Sequence, residues 1–243
     1  MSKAFAALLC LLSLHGVCAA ALDPADQWPN WRGPSHDGAS SRANPPVTWN
    51  VSTNIAWKTP IDGRGSATPI VWGDQVFVTT AIDTGRKAEE KDLPSPDPRF
   101  GNKRTAAPDT WHRFVVSALD RKTGKLLWER TCAEMVPHEG HHQTHSYAAA
   151  SPVTDGERLI VSFGSFGLYC FDLNGNLVWE RQLGRQETRL GWGEAVTPSL
   201  HKGRVYVNWD HEGGSFLTVL DGTNGKTLWK VDREEPSTWA TPL

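Results

Sequence analysis

Four histidines crowd into eight residues, His138-Glu139-Gly140-His141-His142-Gln143-Thr144-His145. Neutral imidazoles at this density suit Zn²⁺ or Cu²⁺, so His138, His141, His142 and His145 are the candidate metal ligands. No i,i+4 pair on a helix with a third ligand is evident, however, and a polar loop is the preferred reading. A second group is Trp192-Gly193-Glu194, followed by Asn208-Trp209-Asp210-His211-Glu212. Glu194, Asp210, His211 and Glu212 offer carboxylates and an imidazole that could hold a cation or serve as acid and base. Solvated turn residues are the simpler reading, since charged side chains mostly face water. The sequence has no nucleophile elbow, P-loop or dinucleotide fingerprint. It also has no C-x-x-C, no vicinal cysteines and no zinc-type Cys/His spacing.

These residues lie between repeated units. Three segments align: Ala118-Leu119-Asp120 through Gly124 to Trp128, Cys170-Phe171-Asp172 through Gly175 to Trp179, and Val219-Leu220-Asp221 through Gly225 to Trp229. The tryptophans fall 51 and 50 residues apart. A second anchor precedes each segment: Ala67-Thr68-Pro69, Ala150-Ser151-Pro152 and Val196-Thr197-Pro198. A further anchor, Ala240-Thr241-Pro242, opens a fourth copy. Each unit reads as four short strands. In the second they are 151–154, 158–163, 167–172 and 176–181, joined by Asp155-Gly156, the Gly164-Ser165 region and Asn174-Gly175. Asp-Gly and Asn-Gly suit tight hairpins because both central positions tolerate positive φ. A four-stranded meander of about 45–50 residues matches one propeller blade. The expectation is therefore an all-β propeller of four-stranded antiparallel blades, present as an incomplete arc of about three blades. Residues 54–59, around Trp57, add a stray outer strand without inner partners.

The Asp…Gly…Trp pattern resembles the tryptophan-docking motif of pyrroloquinoline-quinone-type (PQQ-like) β-propeller repeats. The start Trp28-Pro29-Asn30-Trp31-Arg32-Gly33-Pro34 is similar to that of exported bacterial proteins of this kind. The resemblance implies that Trp128, Trp179 and Trp229 are structural, each packing against a neighbouring blade. Cys170 takes the small docking position that Ala118 holds in the first unit. The resemblance also raises PQQ with Ca²⁺ as cofactors. The quinoprotein dehydrogenases place a vicinal cysteine pair and a calcium site beside the quinone, and this chain lacks the cysteine pair, so cofactor binding is not carried over. The functional expectation is an exported, non-catalytic propeller acting as a scaffold or binding module for a protein or small-molecule ligand. The alternative is a fragment of a PQQ-dependent quinoprotein dehydrogenase.

The remainder of the chain sets the context. Lys3, the apolar run 4–14 and the alanines at 19–21 read as a signal peptide over 1–21, which implies a periplasmic or extracellular location. Residues 22–53 form an N-terminal extension, and the repeats occupy 54–243. Blade one is expected at about 66–131 with an insertion at 83–112, blade two at 148–183, blade three at 194–232, and the start of blade four at 239–243. The insertion accounts for the 59 residues from Pro69 to Trp128, against 27 and 31 in the next two units. Its charge and proline content suit a surface loop. The chain stops as a blade opens, so more blades are expected in the natural gene. Cys132 and Cys170 remain after export. Their spacing leaves a disulfide open, with two buried thiols preferred. A net charge of −2 supplies no basic footprint for nucleic acid, and no stretch after the leader reaches membrane length.

Overall fold

A computed structural model describes residues 22–93, 105 and 108–242. Residues 1–21, where a signal peptide is expected, most of the 94–107 segment of the expected insertion and Leu243 lie outside the described residues. Three antiparallel four-stranded sheets follow one another along the chain. The first comprises β1 (Ile70–Trp72), β2 (Gln75–Lys87), β3 (Thr110–Asp120) and β4 (Leu126–Met135). The second comprises β5 (Val153–Thr154), β6 (Leu159–Ser162), β7 (Leu168–Phe171) and β8 (Leu177–Arg181). The third comprises β9 (Ser199–His201), β10 (Arg204–Trp209), β11 (Ser215–Asp221) and β12 (Thr227–Arg233). Strand order within each sheet is the order in sequence, the meander of a propeller blade.

Blade two shows why its strands read as unbroken apolar runs. Side chains alternate across a strand, and both faces of this sheet are covered. Leu159, Val161, Tyr169 and Phe171 join Ile70, Phe77, Phe114 and Val116 of blade one in one buried cluster. Ile160, Leu168 and Cys170 face the other way, against Val205, Val207, Trp209 and Leu220 of blade three. Each fully buried Leu, Ile, Val or Phe contributes about 1.5–3 kcal/mol, so the two inter-blade layers are the main source of cohesion. The outer strands carry what remains exposed, including Leu126, Leu127, Leu177, Val178 and Leu228.

The repeated Asp…Gly…Trp positions form one device. The Asp carboxylate closes the turn: Asp120 Oδ1 accepts from the N–H groups of Lys122 and Thr123, Asp172 Oδ1 from Asn174 and Asn176, and Asp221 Oδ1 from Thr223. The closed turn presents one carbonyl and one glycine to the preceding blade's indole. Trp128 Nε1 donates to Leu173 O at 3.0 Å and lies on Gly175, while Trp179 Nε1 donates to Gly222 O at 2.8 Å and lies on Gly225. Within its own sheet each tryptophan sits opposite the small or apolar residue two before the Asp, as Ala118↔Trp128, Cys170↔Trp179 and Val219↔Trp229. Trp229 shares this register but is 42% exposed, whereas Trp179 is 8% exposed.

Residues 54–59 differ from the strand expected there, because they join no ladder of the three sheets. Trp57 nevertheless makes the docking contact. Its Nε1 donates to Arg121 O at 2.9 Å, and its ring covers Gly124. The indole's anchor is the turn of the next blade rather than the strand that carries it. The Thr/Ser-Pro anchors act similarly at the other edge of the sheets. Thr68 N donates to Ser151 Oγ and Ser151 N to Thr197 Oγ1, both at 2.9 Å, so the Ser151 and Thr197 hydroxyls each receive the backbone of the anchor before them. The insertion also departs from a simple loop. Strands β2 and β3 pair through Asp83↔His112 and, past an irregularity, again at Lys87↔Thr110, with Thr79, Thr80 and Ala81 lying opposite Val116, Val115 and Phe114.

Candidate functional site

In an antiparallel meander the 1→2 and 3→4 turns share one end of the blade. The 2→3 turns and the inter-blade crossovers share the other. All the candidate chemistry falls at this second end, the rim. The described crossovers span 136–152, 182–198 and 234–242, and the 2→3 turns of blades two and three span 163–167 and 210–214; the corresponding segment of blade one is described at 88–93, 105 and 108–109. The crossovers are stitched together. His142 N donates to Trp192 O at 3.0 Å, Arg189 N to Ser237 Oγ at 2.8 Å, and Trp239 Nε1 to Gly193 O at 2.8 Å.

The middle crossover is bent by backbone that few side chains adopt. Leu190 takes φ +56°, followed by Gly191 at +62° and Gly193 at +88°. A left-handed leucine costs about 1–3 kcal/mol and persists only where surrounding contacts impose it. Here the bend brings Glu194 back under the 163–167 turn. Glu194 Oε2 accepts from Ser165 N at 2.6 Å, and a side chain at Gly164 would occupy the carboxylate's place. Burial, followed by the nearby Glu139 carboxylate, pushes the Glu194 carboxyl up to about 8.

One residue from each expected group meets here. His138 Nε2 lies 3.8 Å from Glu194 Oε1 and 2.8 Å from Gln186 O. The third member, Glu139, is absent from both expected groups. It is 3% exposed, and its carboxylate accepts from Thr188 N at 3.1 Å and Thr188 Oγ1 at 2.5 Å. Ligand atoms of His138, Glu139 and Glu194 lie within 4.8 Å of one another. Two cavities of about 10 Å³ each adjoin Glu194, enough for about one water apiece. A buried carboxyl beside an imidazole can store a proton or, once ionised, ligate a cation.

The other histidines diverge. His141 packs edge-on against Tyr147 with ring centroids 4.5 Å apart, and burial lowers its proton affinity. It lines a cleft of about 400 Å³ with Arg64, Asp83 and His112. His142 and His145 line a separate groove of about 420 Å³ with Thr144, Trp192, Ala195 and Trp239. Four-histidine coordination is therefore not what this fold assembles. Nor do Asp210, His211 and Glu212 converge on Glu194 as one group. His211 is buried and structural: Nδ1 accepts from Glu187 N and Gly213 N, both at 3.1 Å, and Nε2 faces Gly214 O. Asp210 Oδ1 lies 3.2 Å from Arg233 Nε, and Glu212 Oε1 accepts from Ser237 N.

Three successive four-stranded meanders, joined by tryptophan docking, define the class: an arc of PQQ-like β-propeller repeats. The chain belongs to the family described as outer membrane protein assembly factor BamB, whose model matches residues 112–241. Among solved structures, a europium-containing methanol dehydrogenase matches at 14% identity with a TM-score of 0.41, over 69% of this chain and 24% of that one. Quinohemoprotein alcohol dehydrogenase ADHIIG from Pseudomonas putida HK5 matches at 18% identity and a TM-score of 0.41, over 72% and 22%. BamB from Moraxella catarrhalis matches at 15% identity and a TM-score of 0.33, over 70% and 49%. The chain thus spans about a quarter to a half of the length of these structures. No curated protein matches the sequence. Among the described residues, no helix is long and apolar enough to cross a membrane.

Proposed function

We propose that this chain is the binding part of an exported, non-catalytic propeller, which holds a protein or small-molecule ligand at the rim. One observation carries the reading. The two ends of the blades differ in kind: the Asp–Gly turns repeat one structural device, while the rim changes from blade to blade in loop length and side-chain chemistry. Propellers take their functions from such loop variation on a constant scaffold. The rim offers a ligand the groove beside Trp192 and Trp239, whose rings lie 6.0 Å apart, with His142 edge-on to Trp192. Aromatic rings edged by imidazoles give contact area together with polar handles. The water-sized space beside Glu194 is too small for an organic substrate to reach that carboxyl. Export to the periplasm or beyond rests on the leader at 1–21.

The test separates this reading from a PQQ-dependent dehydrogenase fragment. The purified chain is incubated with PQQ and Ca²⁺. Quinone uptake is followed by absorbance, and dye-linked oxidation of alcohols and sugars is assayed. Neither uptake nor turnover is expected. Stoichiometric uptake with dye reduction would replace the binding-module reading with the dehydrogenase one.

A further inference from the structure

The Glu194 side chain is 9% exposed, and its Oε1 has no hydrogen-bond partner. A buried polar oxygen left without a partner costs about 1–3 kcal/mol, more when charged, so such an atom calls for an explanation. Oε1 points toward the space shared with His138 and Glu139. The three side chains bring their ligand atoms within 4.8 Å of one another, and the adjoining cavity between Glu139, Gly140, Gly193 and Glu194 has room for about one water.

We propose that His138, Glu139 and Glu194 form a binding site for one divalent cation of the zinc class, which ties the crossover after blade one to the crossover before blade three. One imidazole nitrogen and two carboxylate oxygens are a borderline donor set of the kind Zn²⁺ takes in three-ligand sites. Ca²⁺ takes six to eight oxygens and has no use for the imidazole. The 3.8 Å between His138 Nε2 and Glu194 Oε1 needs only a small closure to flank an ion bound at about 2.0–2.2 Å. Outer contacts already fix the carboxylates. Thr188 holds Glu139 through its N–H and hydroxyl, and Ser165 N holds Glu194 Oε2, leaving Oε1 for the ion. Binding requires His138 to turn the Nε2 lone pair toward the ion. Its proton then sits on Nδ1, and Gln186 O gives up its contact with the ring. The cation takes up the orphaned oxygen and adds a link between two segments already joined by the Thr188–Glu139 hydrogen bonds. The site is independent of whether the rim binds a partner, because its assay reads the metal alone.

The test uses the full chain, stripped with a chelator and desalted. Zn²⁺ is titrated against a chromophoric competitor, and melting is followed with and without the metal. One equivalent should bind and raise the melting temperature, as any ligand selective for the folded state does. E194Q and E139Q should each weaken binding by at least about tenfold and lose the zinc-dependent rise in melting temperature. The H142A/H145A double variant should bind as the wild type does. If E194Q does not fold, H138A replaces it with the same expectation. The proposal is overturned if the chain binds no Zn²⁺, or if E194Q and H138A bind it unchanged. Loss of binding in H142A/H145A, or preference for Ca²⁺ over Zn²⁺, overturns it equally.

Discussion

Gly175 is the floor on which Trp128 lies. A methyl group on its α-carbon would stand 2.6 Å from indole Cδ2, and its backbone is already left-handed at φ +79°. One glycine thus meets two requirements of the turn: a conformation that side chains avoid and a surface that the neighbouring blade's indole can touch. G175A should therefore cost more than the roughly 1 kcal/mol usual for a single mutation, since strain and loss of docking add. Chemical denaturation of the variant beside the wild type measures the difference. An unchanged midpoint would mean that the indole does not rest there.

The exposure of Trp179 and Trp229 predicts unequal effects. Trp179 is buried between blades two and three, while Trp229 is 42% exposed on β12. W179A should cost about 3–5 kcal/mol, as large core truncations do. W229A should stay within about 1 kcal/mol, as substitutions away from packed features do. Thermal melts of both variants decide, and similar losses would show that Trp229 also packs.

The two described cysteines, Cys132 and Cys170, are free thiols, and burial pushes both up to about 12. The thiolate is the reactive form, so both should react slowly with a disulfide reagent at neutral pH and promptly once denatured. A fast equivalent at Cys170 in the native protein would contradict its full burial, and one at the half-buried Cys132 its raised thiol value. Cys170 behaves as its sequence position suggests: it is fully buried opposite Trp179, where a larger side chain would displace the indole.

Glu194 sets a pH dependence in the metal-free protein. Its folded-state value, about 8, lies above the ordinary 4.5. Its neutral form therefore supports folding fully below about pH 4.5. That support is lost as pH climbs to about 8, because the unfolded state then gives up its proton while the folded state holds it. Relative to E194Q, the wild type should lose stability across that window and change little above it. Parallel pH–stability curves in the presence of chelator check this, and parallel lines would place Glu194 in contact with water.

The blades were legible in the sequence because each is specified locally. Asp closes a turn on its own neighbours, Gly supplies the positive φ, and Trp recurs at about 50-residue spacing. The docking of Trp57 was visible only as a motif, since its partner Gly124 lies beyond β3. Candidate chemistry was harder to read. His138 and Glu194 stood out by residue type, but their pairing depends on a left-handed Leu190 that no propensity favours. Glu139 carried no signal beyond its place among the histidines, because its role comes from Thr188, 49 residues away. His211, similar in type to His138, became a turn support instead, through two backbone N–H groups that only the folded chain brings to it.

The division of labour between the two ends of the blades is tested most directly by placing a photo-crosslinking residue at each end of the intact chain in its native host. Gln143 is exposed on the rim, and Lys125 is exposed at the Asp–Gly end. A discrete adduct from position 143, lost when Trp239 is replaced by alanine, and no adduct from position 125 is the predicted result. A discrete adduct from position 125 with none from position 143 would contradict it, and would assign binding to the end read here as structural.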